Sequence, residues 1–374
     1  MKVWQDGQGG NTPVTAAELN RIEAALAAGP DRVCDGFDRG VGTRRIVSSM
    51  AKALTGVGVS EHLVVGDSMS SFYNGTTFDF ANSWHRKLKA RLIARGYPDG
   101  GTGLVATNEA GGGRDPRWAF TGTADITSNV YVALGTAVST ATFTSDTAGT
   151  IIDLVYSNAG GSFSVKVDGA AAVPVVATGA LTIGTYTVTG LANTTHTIVV
   201  TATSGSAIIC AAQVRNAAGV RFSSLGKFGL SAAGFLGDGG FVKSIVTAAM
   251  PNPDVLHLAI GANDLIGGQT AAATVTRVQT IRNLWPNADV ILYAQPITEN
   301  NELSDAAYVV YTDGLRALAE TLVCPLVDWN LRYGGAASIT GMGFVGADGV
   351  HPNALGQLDM GNAAYEGLML AALA

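Results

Sequence analysis

Four polar side chains in this sequence have types that could together attack a carbonyl carbon, and they stand in three separate short motifs. Ser68 lies in GDSMS, Asn263 in GAND, and Asp348 and His351 in DGVH. A serine hydroxyl becomes a strong nucleophile when a histidine takes its proton, and a carboxylate fixes the tautomer of that histidine. Ser68, His351 and Asp348 could fill these roles, and the Asn263 amide could stabilise the oxyanion. The GxSxG pentapeptide of α/β-hydrolases is not present.

The elements around these residues predict how the residues are brought together. Continuous apolar runs alternate with amphipathic helical segments, a pattern typical of a parallel sheet covered on both faces. Ser68 follows the predicted strand HLVVG, Asn263 follows the predicted strand DVLHLAI, and His351 precedes the predicted last helix. Because functional groups gather at the carboxyl ends of parallel strands, we expect all four side chains to meet at that edge.

A β-rich segment interrupts this α/β pattern. From residue 121 to residue 210 only five residues are charged, and threonine, valine, serine and glycine dominate stretches such as GTIIDLVYS and GTYTVTGL. Turn residues recur roughly every 8–12 residues, the spacing of an antiparallel sandwich. We therefore predict a jelly-roll-like β-sandwich at 125–212, inserted into one α/β domain that is formed by 55–124 and 213–374.

The first 30 or so residues predict one short helix. Thr15 and Glu18 have the spacing of a capping box, and the apolar stripe that follows ends at Gly29. A helix this short needs a packing partner. It could lie on its own domain, or it could serve as an oligomerisation or docking helix.

The motifs GDSMS, GAND and DGVH resemble blocks I, III and V of the SGNH (GDSL-like) hydrolases, in the same order and on corresponding elements. The resemblance implies a flavodoxin-like, three-layer α/β/α fold and the activity of an esterase, lipase or carbohydrate deacetylase. It implies Ser68 as the nucleophile, His351 as the base and Asp348 as its orienting carboxylate. It also implies an oxyanion hole formed by Asn263 and backbone N–H groups, including that of Ser68.

Block II departs from the family pattern, in which a glycine N–H completes the oxyanion hole. The corresponding stretch is KFGLSAAGF, where Gly229 leads the turn and Ala232 stands at the usual glycine position. Any residue except proline has an N–H group, so alanine can serve if its backbone angles allow it. Gly229, Ala232 and Gly234 all stay candidates at this stage.

The N-terminal sequence VWQDGQGGNTPVTAAELNRIEAAL resembles the start of bacteriophage tail and fibre proteins. This second resemblance implies that residues 1–32 attach the chain to other phage tail components in the virion, and that the chain can form a homo-oligomer such as a trimer. The protein would be made in the host cytoplasm and would act at the host cell surface, so the host cell envelope is a predicted partner.

Composition excludes several classes of protein. The net charge of the 374 residues is −6 and there is no run of lysine and arginine, so we expect no nucleic-acid partner. No apolar run reaches the roughly 18 residues of a membrane span. The three cysteines are scattered, and no metal or nucleotide motif is present, so we expect no metal and no cofactor.

Several other residues that could do chemistry have structural interpretations. We expect His62, His85, His196 and His257 to be structural, with His257 inside an apolar strand. Asp67 is expected to shape the turn of the nucleophile, and Asp264 to hold its own loop. Trp118 could pack in the core or carry a sugar ring.

Three function classes remain after this reasoning. The first is a carboxylic ester hydrolase that removes acetyl or other acyl groups from glycans of the host surface or cell wall. The second is a lipolytic esterase that acts on lipid or long-chain esters. The third is a receptor-binding tail protein with an inactive hydrolase domain; the complete set of Ser68, Asn263, Asp348 and His351 argues against it.

Overall fold

The computed structural model describes residues 43–70, 73, 80–107, 115–125, 131–135, 138–224, 226–238, 241–298 and 305–373. The predicted helix after Thr15 and the attachment segment 1–32 lie outside the described residues.

The described strands form two sheets. They are β1 (Val59–Gly66), β2 (Val105–Ala106), β3 (Trp118–Thr121), β4 (Ala124–Asp125), β5 (Val132–Leu134), β6 (Thr140–Thr144), β7 (Ile151–Ser157), β8 (Phe163–Val167), β9 (Val173–Val175), β10 (Ile183–Val188), β11 (Thr197–Ala202), β12 (Ala207–Arg215), β13 (Gly219–Ser224), β14 (Val255–Ala259), β15 (Asp289–Ala294) and β16 (Leu326–Asp328).

The described α-helices belong mostly to the two flanks of the chain. They are α1 (Arg44–Leu54), α2 (Trp84–Ala94), α3 (Ala232–Leu236), α4 (Val242–Ala249), α5 (Ala262–Ile266), α6 (Ala271–Arg282), α7 (Asp305–Leu322), α8 (Trp329–Tyr333), α9 (Ala336–Gly341) and α10 (Ala354–Leu373).

Five parallel strands form one side of the larger sheet, in the order β13-β1-β14-β15-β16. Counted within the α/β part alone, this is the order 2-1-3-4-5 of a flavodoxin-like sheet, whose ligand site lies beside the strand where the order reverses. Here that strand is β1. The predicted flavodoxin-like fold is confirmed in this sheet.

Helices cover both faces of the parallel strands, which explains why those strands read as continuous apolar runs. On β1, Val64 points to one face and Leu63 and Val65 point to the other. Helices α1, α2 and α10 pack on the Val64 face. Helices α4, α6 and α7 pack on the opposite face. The three layers are those that the sequence predicted.

The β-rich segment forms a sandwich. One layer is the five-stranded sheet β3-β6-β11-β8-β9, and the other contains the antiparallel strands β10, β7, β12 and β5. The apolar inner faces meet in one cluster, to which Phe143 and Ile198 contribute from the first layer and Ile152 and Ile209 from the second. The outer positions carry threonine and serine, which accounts for the low charge of the segment.

Strand β2 joins the sandwich to the parallel sheet. Its Val105 pairs in parallel with Ser224 of β13, while the same two-residue strand pairs antiparallel with β12. The chain enters and leaves the sandwich side by side, with the Thr102 N–H donating to Val214 O at 2.8 Å. The antiparallel strands therefore continue the central sheet, and β12 runs to Arg215, past the predicted boundary at 212.

Candidate active site

Ser68, His351 and Asp348 form one hydrogen-bonded chain. Ser68 Oγ lies 2.8 Å from His351 Nε2, and the His351 Nδ1–H donates to Asp348 Oδ2 at 2.6 Å. Ser68 follows the carboxyl end of β1, and the other two residues lie in the loop before α10, so the sequence-predicted edge of the sheet does collect them. This arrangement can take the hydroxyl proton of Ser68 and hold the imidazolium that results.

The Asp348 carboxylate is fixed by its own loop. Its Oδ1 accepts the backbone N–H groups of Val350 and His351 at 2.9 and 3.0 Å. Partial burial raises the pKa of Asp348, but the hydrogen bonds from the His351 ring and from these two N–H groups outweigh it and hold the pKa below its usual value. Asp348 is therefore ionised, as a partner of an imidazolium must be.

The turn that carries Ser68 is shaped by Asp67. Asp67 Oδ1 accepts the Met69 N–H at 3.0 Å, and the Gln295 side-chain amide donates to both carboxylate oxygens at 2.9 Å. Burial raises the pKa of Asp67 to about 6, against the lowering effects of Gln295, the Met69 N–H and His351. Asp67 lies beside the nucleophile and holds its turn, as predicted.

Gln295 is a residue that the sequence reasoning missed. Its Oε1 also accepts the Ala262 N–H at 3.2 Å, so one amide connects the turn of Ser68 with the start of α5. The signal was present in the sequence, since Gln295 directly follows β15 and is a polar residue at the carboxyl end of a parallel strand.

Two glycines allow the strand ends to approach so closely. A Cβ at Gly66 would overlap the Ser70 side chain, and one at Gly261 would overlap the Tyr311 hydroxyl, which donates to Ile260 O at 2.8 Å. Gly261 also has φ = 129°, which side-chain-bearing residues rarely adopt. The glycines of GDSMS and GAND are thus required by packing.

Asn263 and Asp264 bind the block II turn across the site. The Asn263 Nδ2 donates to Leu230 O at 3.1 Å and lies 3.4 Å from Asp67 Oδ2. Asp264 is buried, and its carboxylate accepts the N–H groups of Ala232 and Ala233 at 2.5 and 3.1 Å. The Asp264 side chain therefore holds a distant turn, whereas the sequence predicted that it holds its own loop.

This contact corrects one candidate for the oxyanion hole. The Ala232 N–H points at the Asp264 carboxylate, so it is not available to a developing oxyanion in this structure. Gly229 begins the same turn with φ = 69° and has open space beside its Cα. The Gly234 N–H donates to Ser231 Oγ at 2.9 Å, so of the three block II candidates Gly229 stays compatible with a role in the oxyanion hole.

Two aromatic rings flank His351. The Tyr73 ring meets it edge-on with centroids 4.9 Å apart, and the Phe228 ring lies at 5.9 Å with an interplanar angle of 30°. Tyr73 and Phe228 also contact each other, edge to face, at 5.2 Å. Neither was a candidate from the sequence, although Phe228 directly precedes Gly229 and Tyr73 lies five residues after Ser68.

The other histidines lie away from this chain of hydrogen bonds. His62 Nδ1 and His257 Nε2 are 2.9 Å apart in the core, and His257 Nδ1 lies 2.7 Å from the Tyr293 hydroxyl. His196 pairs with Asp168 in the sandwich. His257 thus makes the core hydrogen bonds that were predicted for it.

Trp118 is a core residue rather than a sugar platform. It is buried between the sandwich layers, and its Nε1–H donates to Val105 O at 3.2 Å. Among the residues that the structure describes, no group of three potential ligands could hold a metal ion. None of the described helices has the length and apolar character needed to cross a bilayer.

The fold and the Ser–His–Asp chain define the class of serine hydrolases. Residues 194–358 match the model of the GDSL-like Lipase/Acylhydrolase family. The match includes Asn263, Asp348 and His351, and Ser68 lies before it. This part of the chain thus resembles the family, and the predicted carboxylic ester hydrolase is confirmed at the level of class. A search of curated proteins finds no match.

Solved structures extend the likeness in fold. A peptidoglycan O-acetylesterase is 18% identical, with a TM-score of 0.67 over 88% of this chain and 97% of that chain. A family two carbohydrate esterase from Cellvibrio japonicus is 12% identical, with a TM-score of 0.30 over 69% and 96%. A lipase/acylhydrolase from Enterococcus faecalis is 19% identical, with a TM-score of 0.34 over 40% and 75%. The first of these supports the fold over most of the chain.

Proposed function

We propose that this protein removes O-acyl groups, acetyl above all, from glycans, with Ser68 as the nucleophile. The observation that carries the proposal is the continuous hydrogen-bonded chain from Ser68 Oγ through His351 to Asp348. Ser68 Oγ attacks the ester carbonyl carbon while His351 Nε2 takes its proton. His351 then gives that proton to the leaving alcohol, and an acyl-Ser68 remains. Water, deprotonated by His351, releases the carboxylic acid and restores Ser68.

The oxyanion of each tetrahedral intermediate needs donors on the side of Ser68 away from His351. We assign this role to the Asn263 amide, the Gly229 N–H and the Ser68 N–H. One N–H of the Asn263 amide donates to Leu230 O and holds the side chain at the site. The other N–H makes only a long contact with Asp67 Oδ2, 3.4 Å, so it can turn toward the substrate. Such preorganised donors act on the charge that develops in the transition state.

Acylated glycans of the bacterial envelope are the substrates that we propose. The solved structure that matches this fold with a TM-score of 0.67 is that of a peptidoglycan O-acetylesterase. O-acetylated cell wall is therefore the first polymer to test. The N-terminal resemblance to phage tail proteins supports a place on the virion, where residues 1–32 would bind other tail components. The enzyme would then act at the host cell surface.

Esters of increasing chain length, offered beside an acetylated cell-wall extract, test this function. We expect rapid release of acetate from both p-nitrophenyl acetate and the extract, and little turnover of p-nitrophenyl palmitate. A preference for palmitate would support a lipolytic enzyme instead. An inactive protein that still binds host cells would support the receptor-binding alternative. Detection of the chain in purified virions, by mass spectrometry, tests the location.

A further inference from the structure

The aromatic rings beside His351 have no part in the proton path, yet they border it directly. Tyr73 approaches the imidazole edge-on, and Phe228 lies over it at a shallow angle. Phe228 is 41% exposed although its ring contacts the nearly buried His351. Its exposed part is therefore available to a molecule that reaches His351.

The reaction itself decides which part of an ester lies there. His351 Nε2 must donate its proton to the oxygen of the leaving alcohol, so that oxygen has to come within hydrogen-bond distance of Nε2. The acyl group and the oxyanion lie toward Asn263 and Gly229. The alcohol portion must therefore lie on the His351 side, against Phe228.

We propose that Phe228, supported by Tyr73, is the binding platform for the ring of a cyclic, hydroxylated leaving alcohol such as a sugar. One face of a sugar ring presents C–H groups that pack on an aromatic ring, while its hydroxyls stay in water. The proposal deepens the proposed function and rests on it. It assigns the preference for glycan esters to the alcohol side of the site, close to block II.

Two acetyl esters with the same acyl group but different alcohols test this platform. One is a mono-O-acetylated methyl glycoside, and the other is ethyl acetate, whose alcohol is too small to cover Phe228. We expect the wild type to prefer the glycoside in kcat/KM. Phe228→Ala should lower kcat/KM for the glycoside about tenfold, mainly through KM, while ethyl acetate changes less than about threefold.

Matched variants separate the platform from other effects. Phe228→Trp keeps an aromatic face and Tyr73→Phe keeps the supporting ring, so both should retain the preference for the glycoside. Leu181→Ala, which removes an equally apolar side chain that is 73% exposed on the sandwich, should change neither substrate. Equal losses on both esters in Phe228→Ala would mean that the ring acts only on His351 and would overturn the proposal. So would a wild type with no preference for the glycoside. Failure of the wild type to hydrolyse either ester would instead count against the proposed function.

Discussion

At the scale of single residues, hydrogen bonds between protein groups form the complete proton path. Ser68, His351 and Asp348 are already within hydrogen-bond distance of one another, and the Asp348 carboxylate is saturated by two backbone N–H groups. A substrate thus has to supply only its carbonyl carbon and a leaving oxygen. The predictions at this scale concern what happens when one member of the path or of its support is removed.

Ser68→Ala should remove nearly all esterase activity, because the attacking oxygen is lost, and should leave the melting temperature nearly unchanged. A fluorophosphonate should label the wild type at Ser68 alone, as read by peptide mass spectrometry. Ser70→Ala is the control. Its Oγ accepts the Trp84 indole N–H at 3.1 Å, so this variant should lose stability but keep the label. Labelling of the Ser68→Ala variant would contradict the assignment.

Asp348→Asn should lower kcat by roughly 10²–10⁴, because an amide at this position no longer fixes the reactive tautomer or stabilises the imidazolium. His351→Ala should be about as severe as Ser68→Ala, since the two residues act as a unit. Steady-state kinetics with p-nitrophenyl acetate measure both. A loss confined to KM in either variant would place that residue in substrate binding.

Asp264→Ala should lower kcat without contact between Asp264 and substrate. It leaves the N–H groups of Ala232 and Ala233 without their acceptor, so the block II turn loses its fixed position. We also expect a loss of roughly 1–3 kcal/mol in the free energy of unfolding, as for buried groups left unsatisfied. Arg277→Met is the control, because the Arg277–Asp264 contact is longer, at 3.3 Å, and more exposed. An unchanged kcat in Asp264→Ala would show that the turn keeps its position without this carboxylate.

The sequence predicts a site residue when that residue stands in a short recognisable motif. Ser68, Asp348 and His351 stand in short motifs with a recognisable order. Gln295 had a signal in its position at a strand end, but its partners are not encoded by any spacing in the sequence. The same holds for the contact of Phe228 with His351, because both sets of contacts are made across the sheet edge. The Ala232 candidate depended on a contact of the same kind. Its N–H donates to the carboxylate of Asp264, which lies 32 residues further along the chain.

At the scale of elements, the sequence predicted the long apolar strands and the amphipathic helices well. It missed β13, which carries the buried Arg221 in a strand of only six residues. From the sequence alone, the charge of Arg221 argues against a central strand, because a buried charge needs a partner of opposite charge. That partner is Glu61 on the neighbouring β1, in direct register, with Arg221 Nε donating to Glu61 Oε1 at 2.9 Å.

An ion-pair cluster connects α2 to the start of the sandwich, and its two carboxylates differ in burial. The Asp115 side chain is 4% exposed and binds Arg117 through two hydrogen bonds, whereas the Asp146 side chain is 49% exposed. Both lie within 4 Å of Arg86 as well. We expect Asp115→Ala to cost roughly 3–5 kcal/mol in urea unfolding. Asp146→Ala should cost no more than about 1 kcal/mol, as for exposed pairs. Equal effects would mean that burial does not determine the strength of this cluster.

At the scale of the whole molecule, a buried polar chain crosses the core. Ser60 Oγ lies 3.0 Å from His62 Nε2, and the contacts continue through His257 to the Tyr293 hydroxyl. Burial lowers the pKa of His62 well below its usual value and that of His257 to about 3. Both rings are neutral in the folded protein at neutral pH, while in the unfolded chain they bind protons below about pH 6.5.

Folding stability should therefore fall as the pH falls below about 6.5, by roughly 2 kcal/mol for His257 alone at pH 5. His257→Gln should be less stable at pH 7 but should lose less stability between pH 7 and pH 5, as followed by urea unfolding. His196→Gln is a control of opposite sign. Its pairing with Asp168 raises the pKa of His196 against the effect of burial, so its removal should make the acid loss larger. Parallel stability curves for all three proteins would contradict this account.

The two-residue strand β2 has a consequence for anyone who builds chimeras between enzymes of this fold. Strand β2 pairs with β12 on one side and with β13 on the other. The sandwich is therefore not a separate domain on a flexible linker, and it cannot be excised at 125 and 212. Cuts at these positions would separate Val105 and Trp118 from the sandwich, although their side chains belong to its hydrophobic core. The natural exchange unit runs from about 99 to 216, where the two chain crossings are hydrogen-bonded to each other through Asn216 N–H and Gly100 O. A transplant of the sandwich between such enzymes would have to carry this whole unit, while Ser68, Phe228 and His351 stay in the recipient.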